Sequence, residues 1–308
     1  MTLVGFLNKI VQYLEMAAGL IFLLIKICVA RSFFNPIKKK YNGTVAVLGN
    51  GPSIKEALPL FENSEEFKNI DFIAMNFFAL DEVFFKIKPK HYCFMDPQFF
   101  KENVKRYDIV KIRKLFAAMQ DRIDWELNLY IIDYQDGNDF LKFSQITNKS
   151  IRIKKIKYVP YIGPTFIYRN FYPKGAMFSG SNVSLLAILV AINSGYSNVM
   201  LYGVDHTFFD FVVDENNQIC RKNIHFYDKG TSIIPEPLVN PDGTTRKVSA
   251  MLSIFSEAFK SHDILSNLAD SLNVNIINCT KHSLINSYKR IPQNMNPCDI
   301  TAILENVS

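Results

Sequence analysis

The sequence lacks the short motifs that mark several large classes of protein. Its cysteines stand singly, with no Cys-x-x-Cys pair, and they are Cys28, Cys93, Cys220, Cys279 and Cys298. This pattern excludes a zinc ribbon and indicates packed thiols in a reducing compartment rather than a disulfide framework. There is no Gly-x-Gly-x-x-Gly fingerprint, no Walker loop and no Asp-x-Asp pair. The sequence therefore gives no sign of a dinucleotide cofactor, a P-loop or a carboxylate metal site.

Charge and hydrophobicity set broad limits. The chain has 35 lysines and arginines against 29 acidic residues, a formal net charge of +6, and no arginine-rich arm. We therefore expect no nucleic-acid partner, and the positive charge favours an anionic lipid surface or a phosphorylated substrate. Hydrophobic residues make up 48% of the 308 residues, which excludes a disordered chain and supplies the core of one large domain.

Residues 1–40 differ from the rest of the chain. Apolar residues from Phe6 to Ile25 recur at helical spacing, and no charge lies between Glu15 and Lys26. That interval is shorter than the roughly 20 apolar residues that cross a bilayer. With lysines at positions 38–40 behind it, the segment predicts an amphipathic helix in the membrane interface, with the protein peripheral on the cytoplasmic face of an inner membrane. A strained span, or a helix packed on the protein or on a second copy, is the alternative.

Short apolar runs that end in polar residues predict parallel strands. Three clear runs lie at 44–48, 71–75 and 91–95, two weaker ones at 129–132 and 156–159, and two more at 198–204 and 274–278. Asn50, Asn76, Asp96 and Asp205 stand at the ends of four of these runs. Since ligands of parallel sheets bind beyond the carboxyl ends of the strands, we expect these four side chains to converge.

Two helical patterns complete a doubly wound, Rossmann-like α/β fold over residues 41–290. Residues 181–193 are apolar on almost every face, so they predict a buried helix that Ser179 or Ser181 caps and Gly195 ends. A second helix is predicted at 249–269. The intervening segment, 206–246, is polar and contains glycines and prolines, as active-site lids do. Residues 291–308 are predicted to be a C-terminal tail.

Two small-residue turns are candidate anion sites. Gly49 and Gly51 allow a sharp turn after the first strand, and Asn50 and Ser53 can contact a ligand there. Ser179 and Gly180 precede the buried helix, whose first N–H groups can bind an anion. A plain turn and a plain helix cap are the alternatives.

Two histidines are candidate general bases. His206 follows Asp205 at a strand end, and His225 lies in the lid two residues before Tyr227. A histidine can deprotonate a hydroxyl near neutral pH, and a tyrosine hydroxyl can stabilise a departing phosphate without a metal. We therefore expect no metal and no cofactor. Either histidine can instead be a buried, hydrogen-bonded residue.

The ordered set of motifs resembles the bacterial CMP-sialic acid-dependent sialyltransferases of lipooligosaccharide synthesis. It is also similar to the wider superfamily that contains the motility-accessory-factor glycosyltransferases. The resemblance runs from about Val45 to about Asn278. It rests on the Gly-Asn-Gly-Pro-Ser turn, Asn76-Phe77-Phe78, Asp96-Pro97-Gln98-Phe99, Ser179-Gly180 and Gly203-Val204-Asp205.

The resemblance implies a glycosyltransferase with a lid over a nucleotide-sugar donor, and the donor sugar that it implies is a CMP-linked sialic or other nonulosonic acid. Asn50 would hold the nucleotide phosphate region, Asn76 the nucleotide sugar, and Ser179 and Gly180 the donor sugar. His225 would be the base, acting on a glycan or glycolipid acceptor of lipopolysaccharide or capsule synthesis. Asp96 stands where those sialyltransferases have asparagine.

Two other functions fit the same fold. Resemblance to archaeal 6-hydroxymethylpterin diphosphokinases implies diphosphate transfer from ATP, with Asp96 and Asp205 as magnesium ligands. A non-catalytic membrane-bound assembly partner is the third alternative, and a homo-oligomer is compatible with each.

Overall fold

A computed structural model of the chain describes residues 3–29, 36–100, 108–133, 139–158, 176–177, 182–207, 209–221, 226, 235–240, 243–292, 295–296 and 299–307. The strands are β1 (Thr44–Leu48), β2 (Asp71–Met75), β3 (His91–Phe94), β4 (Leu127–Asp133), β5 (Ile151–Tyr158), β6 (Ala176–Met177), β7 (Asn198–Tyr202), β8 (Phe211–Val213), β9 (Ile219–Arg221), β10 (Glu236–Pro237), β11 (Asn275–Asn278) and β12 (Lys289–Arg290). The helices are α1 (Leu3–Val29), α2 (Leu58–Asn63), α3 (Glu82–Ile87), α4 (Ile109–Arg122), α5 (Asp139–Ser144), α6 (Val183–Ser194), α7 (Val248–Ser271) and α8 (Ile300–Val307). Short 3-10 helices lie at Pro52–Glu56, Glu65–Phe67, Phe78–Leu80 and Pro97–Phe99.

Nine of these strands form one sheet, in the order β12-β11-β7-β1-β2-β3-β4-β5-β6. Every pairing between its described strands is parallel. Alternate residues of β1 enter different cores, since Ala46 and Leu48 lie in one buried cluster and Val45 and Val47 in another. Both faces are therefore covered, and the predicted doubly wound α/β architecture is confirmed.

The helices divide between the two faces. The residues of α6 from Ser184 to Ser194 are all buried, and those from Leu185 to Ile192 lie in the cluster that also contains Leu265 and Leu268 of α7. The other face carries α2, α4 and α8. Ile300 and Ile303 of α8 are buried there, so the segment predicted as a tail contributes to the core. A mostly apolar α6 is stable only because the sheet and α7 remove it from water.

The predicted elements differ from the observed ones mainly at their ends. β3 stops at Phe94, β7 stops at Tyr202, and β4 and β5 are longer than the short runs predicted. Gly195 ends α6 in the left-handed conformation, with φ of 104° as expected. The cap prediction was wrong: Asn182, and not Ser179 or Ser181, caps α6, because its Oδ1 accepts a 2.8 Å hydrogen bond from the Ser184 N–H.

The predicted amino-terminal helix is present as α1, and many of its apolar side chains are exposed. Phe6 is 48% exposed, Leu14 64% and Ile25 53%. In the described part of the chain, no helix has the length and apolar character needed to cross a membrane. The predicted binding of this helix to a membrane surface remains a prediction.

Candidate functional site

A cleft of about 300 Å³ lies at the carboxyl ends of β1 and β7. Its described lining comes from residues 49–52 after β1, 75–76 at the end of β2, 182–184 at the start of α6, 203–207 after β7, and from Asp210 and Arg221. Strands β1 to β6 follow one another across one side of the sheet, and β7 then lies on the other side of β1. The cleft thus occupies the topological switch point, where open α/β sheets bind their ligands.

Three glycines interlock the two turns that form the cleft floor. The Gly49 N–H donates to the Tyr202 carbonyl at 2.8 Å, and the Gly51 N–H donates to the Gly203 carbonyl at 2.9 Å. A Cβ on Gly49 would overlap the Gly203 carbonyl oxygen, and a Cβ on Gly51 would overlap the Asp205 carboxylate. The glycines of the first motif are therefore required by backbone packing as well as by any ligand.

Asp205 joins the same two turns through its side chain. Its Oδ2 accepts a 2.8 Å hydrogen bond from the Ser53 hydroxyl, and only 7% of the residue is exposed. Burial raises the pKa of Asp205, and the hydrogen bonds from Ser53 oppose that shift. Asp205 is thus a buried residue that links the β1 turn to the β7 turn, and it also lines the cleft.

Two asparagines present unsatisfied acceptors beside the cleft. Asn50 donates its Nδ2 to the Met75 carbonyl at 3.3 Å, but the Oδ1 atoms of Asn50 and Asn76 are buried and have no hydrogen-bond partner among the described residues. Asn76 has a left-handed backbone, with φ of 49°, and Tyr92 donates its hydroxyl to the Asn76 carbonyl. An unmet buried acceptor costs about 1–3 kcal/mol, so both oxygens indicate a ligand that supplies hydrogen-bond donors.

The first turn of α6 supplies a further part of the lining. Asn182, Val183 and Ser184 all border the cleft, and the Ser184 Oγ is buried without a partner in the described part of the chain. The free N–H groups and dipole of a helix amino end favour an anion. Sequence reasoning placed this site at Ser179 and Gly180, which lie outside the described residues. Asn182 could have been identified in the sequence as an asparagine directly before the apolar run.

His206 is held in a buried chain of hydrogen bonds. Its Nε2 lies 3.0 Å from the Nε2 of His262 on α7, and the Nδ1 of His262 lies 2.8 Å from the Tyr288 hydroxyl. The His206 ring also packs edge-on against Phe259, and its backbone has a left-handed φ of 55°. Burial lowers the pKa of His206 to about 3. Burial, together with the neighbouring His206, lowers the pKa of His262 well below its usual value.

The imidazole of His206 is therefore neutral and turned into the protein towards α7, although the residue lines the cleft. Sequence reasoning missed His262 and Tyr288, because nothing in a helical or strand pattern singles out a histidine or tyrosine that faces the core. Whether His206 takes part in chemistry remains a prediction.

The predicted base and its partner, His225 and Tyr227, lie outside the described residues. Phe226, between them, is described and buried. Its N–H donates to the Asn50 carbonyl at 3.1 Å, and its ring packs on Phe78 at 5.0 Å. The predicted lid therefore contacts the β1 turn at the residue that separates the two candidates.

Asp96 is placed differently from the other predicted residues. It caps the Pro97–Phe99 helix through a 3.1 Å hydrogen bond from the Gln98 N–H to its Oδ1, and it is not among the described residues that line the cleft. Asn50, Asn76 and Asp205 do converge there, as predicted. In the described part of the chain, no three His, Cys, Asp or Glu side chains lie together as a metal site would need.

Part of the predicted lid forms a separate small sheet. β8, β9 and β10 pair antiparallel, in the order β10-β9-β8. Ile219 of this sheet is buried against Met251 and Phe255 of α7. The hairpin brings Arg221 and Asp210 to the cleft, and sequence reasoning missed both because the segment has no clear periodicity.

No family model matches the chain, and no curated protein matches it either. Two solved structures are similar to it over much of its length. The MAf glycosyltransferase from Magnetospirillum magneticum AMB-1 aligns with 90% of this chain at 12% identity and a TM-score of 0.43, and this chain covers 39% of that protein's length. A mammalian sialyltransferase aligns with 76% of this chain at 14% identity and a TM-score of 0.34, with 68% of its own length covered. The cleft itself therefore supplies the evidence for an activity.

Proposed function

We propose that this chain is a glycosyltransferase that binds a nucleotide-activated sugar in the cleft at the switch point. The observation that carries the proposal is the pair of unsatisfied Oδ1 acceptors of Asn50 and Asn76 beside the amino end of α6. The asparagines suit the hydroxyl and amino donors of a nucleoside, and the helix end suits its phosphate. The motif order that resembles CMP-sialic acid-dependent sialyltransferases favours a CMP-linked acidic sugar as donor.

The chemical step in this proposal belongs to the lid. His225 takes the proton of the acceptor hydroxyl, the acceptor oxygen bonds to the anomeric carbon of the donor sugar as the bond from that carbon to the phosphate oxygen breaks, and Tyr227 hydrogen-bonds the departing phosphate. The contact of Phe226 with the Asn50 carbonyl supports this assignment, because it anchors the segment at the nucleotide turn. In this step no metal is needed to stabilise the leaving group.

Diphosphate transfer with magnesium is the second candidate. It would use Asp96 and Asp205 as ligands, but the Asp205 Oδ2 bonds Ser53 and the Asp96 Oδ1 bonds the Gln98 N–H. One oxygen of each carboxylate thus accepts a hydrogen bond from the protein, and Asp96 is not among the described residues that line the cleft with Asp205, which favours sugar transfer.

Membrane association is part of the same proposal. The exposed apolar side chains of α1 and the lysines at 38–40 would hold the enzyme on the cytoplasmic face beside a lipid-linked glycan acceptor. Binding to vesicles that contain anionic lipid should weaken with salt and on replacing Lys38, Lys39 and Lys40 by glutamine. A protein that leaves the vesicles only when detergent is added, at any salt concentration, would contradict a peripheral attachment.

A nucleotide-binding assay tests the central claim. CMP, CDP, UDP, GDP and ATP are compared by thermal shift, since a ligand of the native state raises the melting temperature. We expect CMP to stabilise the protein and Asn50→Ala to weaken its binding by about 1–3 kcal/mol. Asn267→Ala, at an exposed position of α7, is the control that should bind normally. Stabilisation by ATP with magnesium alone would favour the diphosphotransferase, and no stabilisation by any nucleotide would exclude both enzymes.

A further inference from the structure

Arg221 reaches the cleft from a well-defined backbone position. It is the last residue of β9, the central strand of the small sheet, where it pairs with Phe211 of β8 and with Glu236 of β10. Neighbouring strands on both sides fix this backbone. The side chain is half-buried and lines the same cleft as Asn50 and Asn182.

The charges around the cleft single out this residue. Among the described residues that line it, the titratable side chains belong to Asp205, His206, Asp210 and Arg221. His206 is neutral at physiological pH, because burial lowers its pKa to about 3. In the described lining, Arg221 is therefore the one side chain that carries a positive charge.

Burial and a neighbouring cation both act against that charge. Burial lowers the pKa of Arg221, and the positive charge of Arg246 lowers it further. An anion bound in the cleft would offset the repulsion between the positive charges of Arg221 and Arg246. A guanidinium also bonds phosphate and carboxylate oxygens in a two-point, planar geometry that lysine cannot reproduce.

We propose that Arg221 is a specificity-determining residue that binds the anionic group of the donor, with the amino end of α6 as the second anion-binding element of the cleft. This inference rests on the proposed function and names the chemistry by which the site selects its substrate. The anion is a phosphate or a carboxylate: the nucleotide supplies the first, and an acidic donor sugar supplies the second. Arg221 adds affinity for charged ligands and none for the uncharged nucleoside.

Paired ligands test the inference. Dissociation constants are measured by calorimetry for cytidine, CMP and CMP-sialic acid with the wild type, Arg221→Gln, Arg221→Lys and Lys247→Gln. Arg221→Gln should weaken binding of the ligands that carry the recognised anion, CMP-sialic acid alone or CMP as well, by about 10- to 100-fold and leave cytidine binding unchanged. Arg221→Lys should recover part of the loss, since it restores the charge and not the planar fork. Lys247→Gln removes a charge from an exposed residue outside the cleft lining and should bind all three ligands normally.

The ligands also separate the two sources of the anion. A similar loss for CMP and CMP-sialic acid assigns Arg221 to the phosphate, and a loss confined to CMP-sialic acid assigns it to the carboxylate. Equal losses for cytidine and CMP in Arg221→Gln, or no loss at all, would overturn the inference while wild-type CMP binding still supports the proposed function. A wild type that binds none of the three would overturn both. Circular dichroism of each variant confirms that it is folded.

Discussion

The part of the cleft formed by the ends of β1 and β7 is backed by the nine-stranded sheet, whereas another part of its lining comes from the small sheet of β8, β9 and β10. The β1 and β7 residues are almost wholly buried, and their turns interlock through glycines and the Ser53–Asp205 hydrogen bond. In the small sheet, Val212 is 48% exposed and Val213 58%. One part is packed on the large core, and the described core of the other has few residues.

We infer from this difference that the two parts have different roles in binding and in the chemical step. A floor built from buried strands can present Asn50 and Asn76 in fixed positions, which suits binding of an unreactive nucleotide. The segment that contains the small sheet also contains the candidate base, His225, and the candidate anion-binding residue, Arg221. Loss of a floor residue should therefore impair binding or folding, and loss of the base should impair turnover.

The largest effect should come from the base. His225→Ala should lower kcat by about 10²–10⁴-fold and leave the dissociation constant of the donor nearly unchanged, because proton transfer matters only in the transition state. Steady-state kinetics and donor titration, both with EDTA present, measure the two quantities. His282→Ala, at an exposed histidine outside the cleft lining, is the matched control. An inactive His206→Ala together with an active His225→Ala would assign the base to the floor instead.

A glycine pair tests the rigidity of the floor. Gly203 and Gly243 both have positive φ, of 65° and 87°. An added Cβ on Gly203 would lie 2.7 Å from the Ile54 Cβ, whereas no described atom lies within 4 Å of one on Gly243. Gly203→Ala should lower the free energy of unfolding by about 2–5 kcal/mol, from backbone strain and overpacking together. Gly243→Ala should cost about 1–2 kcal/mol from strain alone. Urea unfolding measures both, and equal costs would show that the floor relaxes as easily as the lid.

The smallest effect should come from the element that joins the two parts. Helix α7 carries the core of the small sheet at Met251 and Phe255, and it bonds the floor through His262. Tyr288→Phe removes one hydroxyl and leaves the Nδ1 of His262 without that partner, which should cost about 1–3 kcal/mol at pH 7.5. Tyr13→Phe, at a tyrosine that is 66% exposed, should have no effect.

The same histidines predict how stability depends on pH. Their pKa values are lower in the folded than in the unfolded protein, so unfolding takes up protons. The stabilisation from these buried neutral rings is complete above the unfolded pKa of about 6.5 and is lost as the pH falls towards about 3. Urea unfolding from pH 7.5 to 4 should show a steady decline. A free energy of unfolding of the wild type that does not change over this pH range would contradict the buried hydrogen bonds among His206, His262 and Tyr288.

The sequence predicted the parts of the site that depend on local pattern. The runs at 44–48 and 71–75 coincide with β1 and β2, and the polar residues after three of the predicted strands meet in the cleft. Strand periodicity, buried-helix composition and glycine turns are properties of neighbouring residues, so a sequence displays them directly. Asp96 was the exception, because a short helix that follows β3 uses its carboxylate as a cap.

The sequence by itself thus determined the α/β class, the glycine turn and the convergence of Asn50, Asn76 and Asp205. Only the tertiary structure decided which polar groups are satisfied. Ser53 and Asp205 meet across 152 residues, and His206 and His262 meet across 56. It also brought Arg221 of a separate small sheet to the cleft. The physical reason is that hydrogen bonding and burial depend on which distant residues come into contact, and that is set by the packing of whole strands and helices.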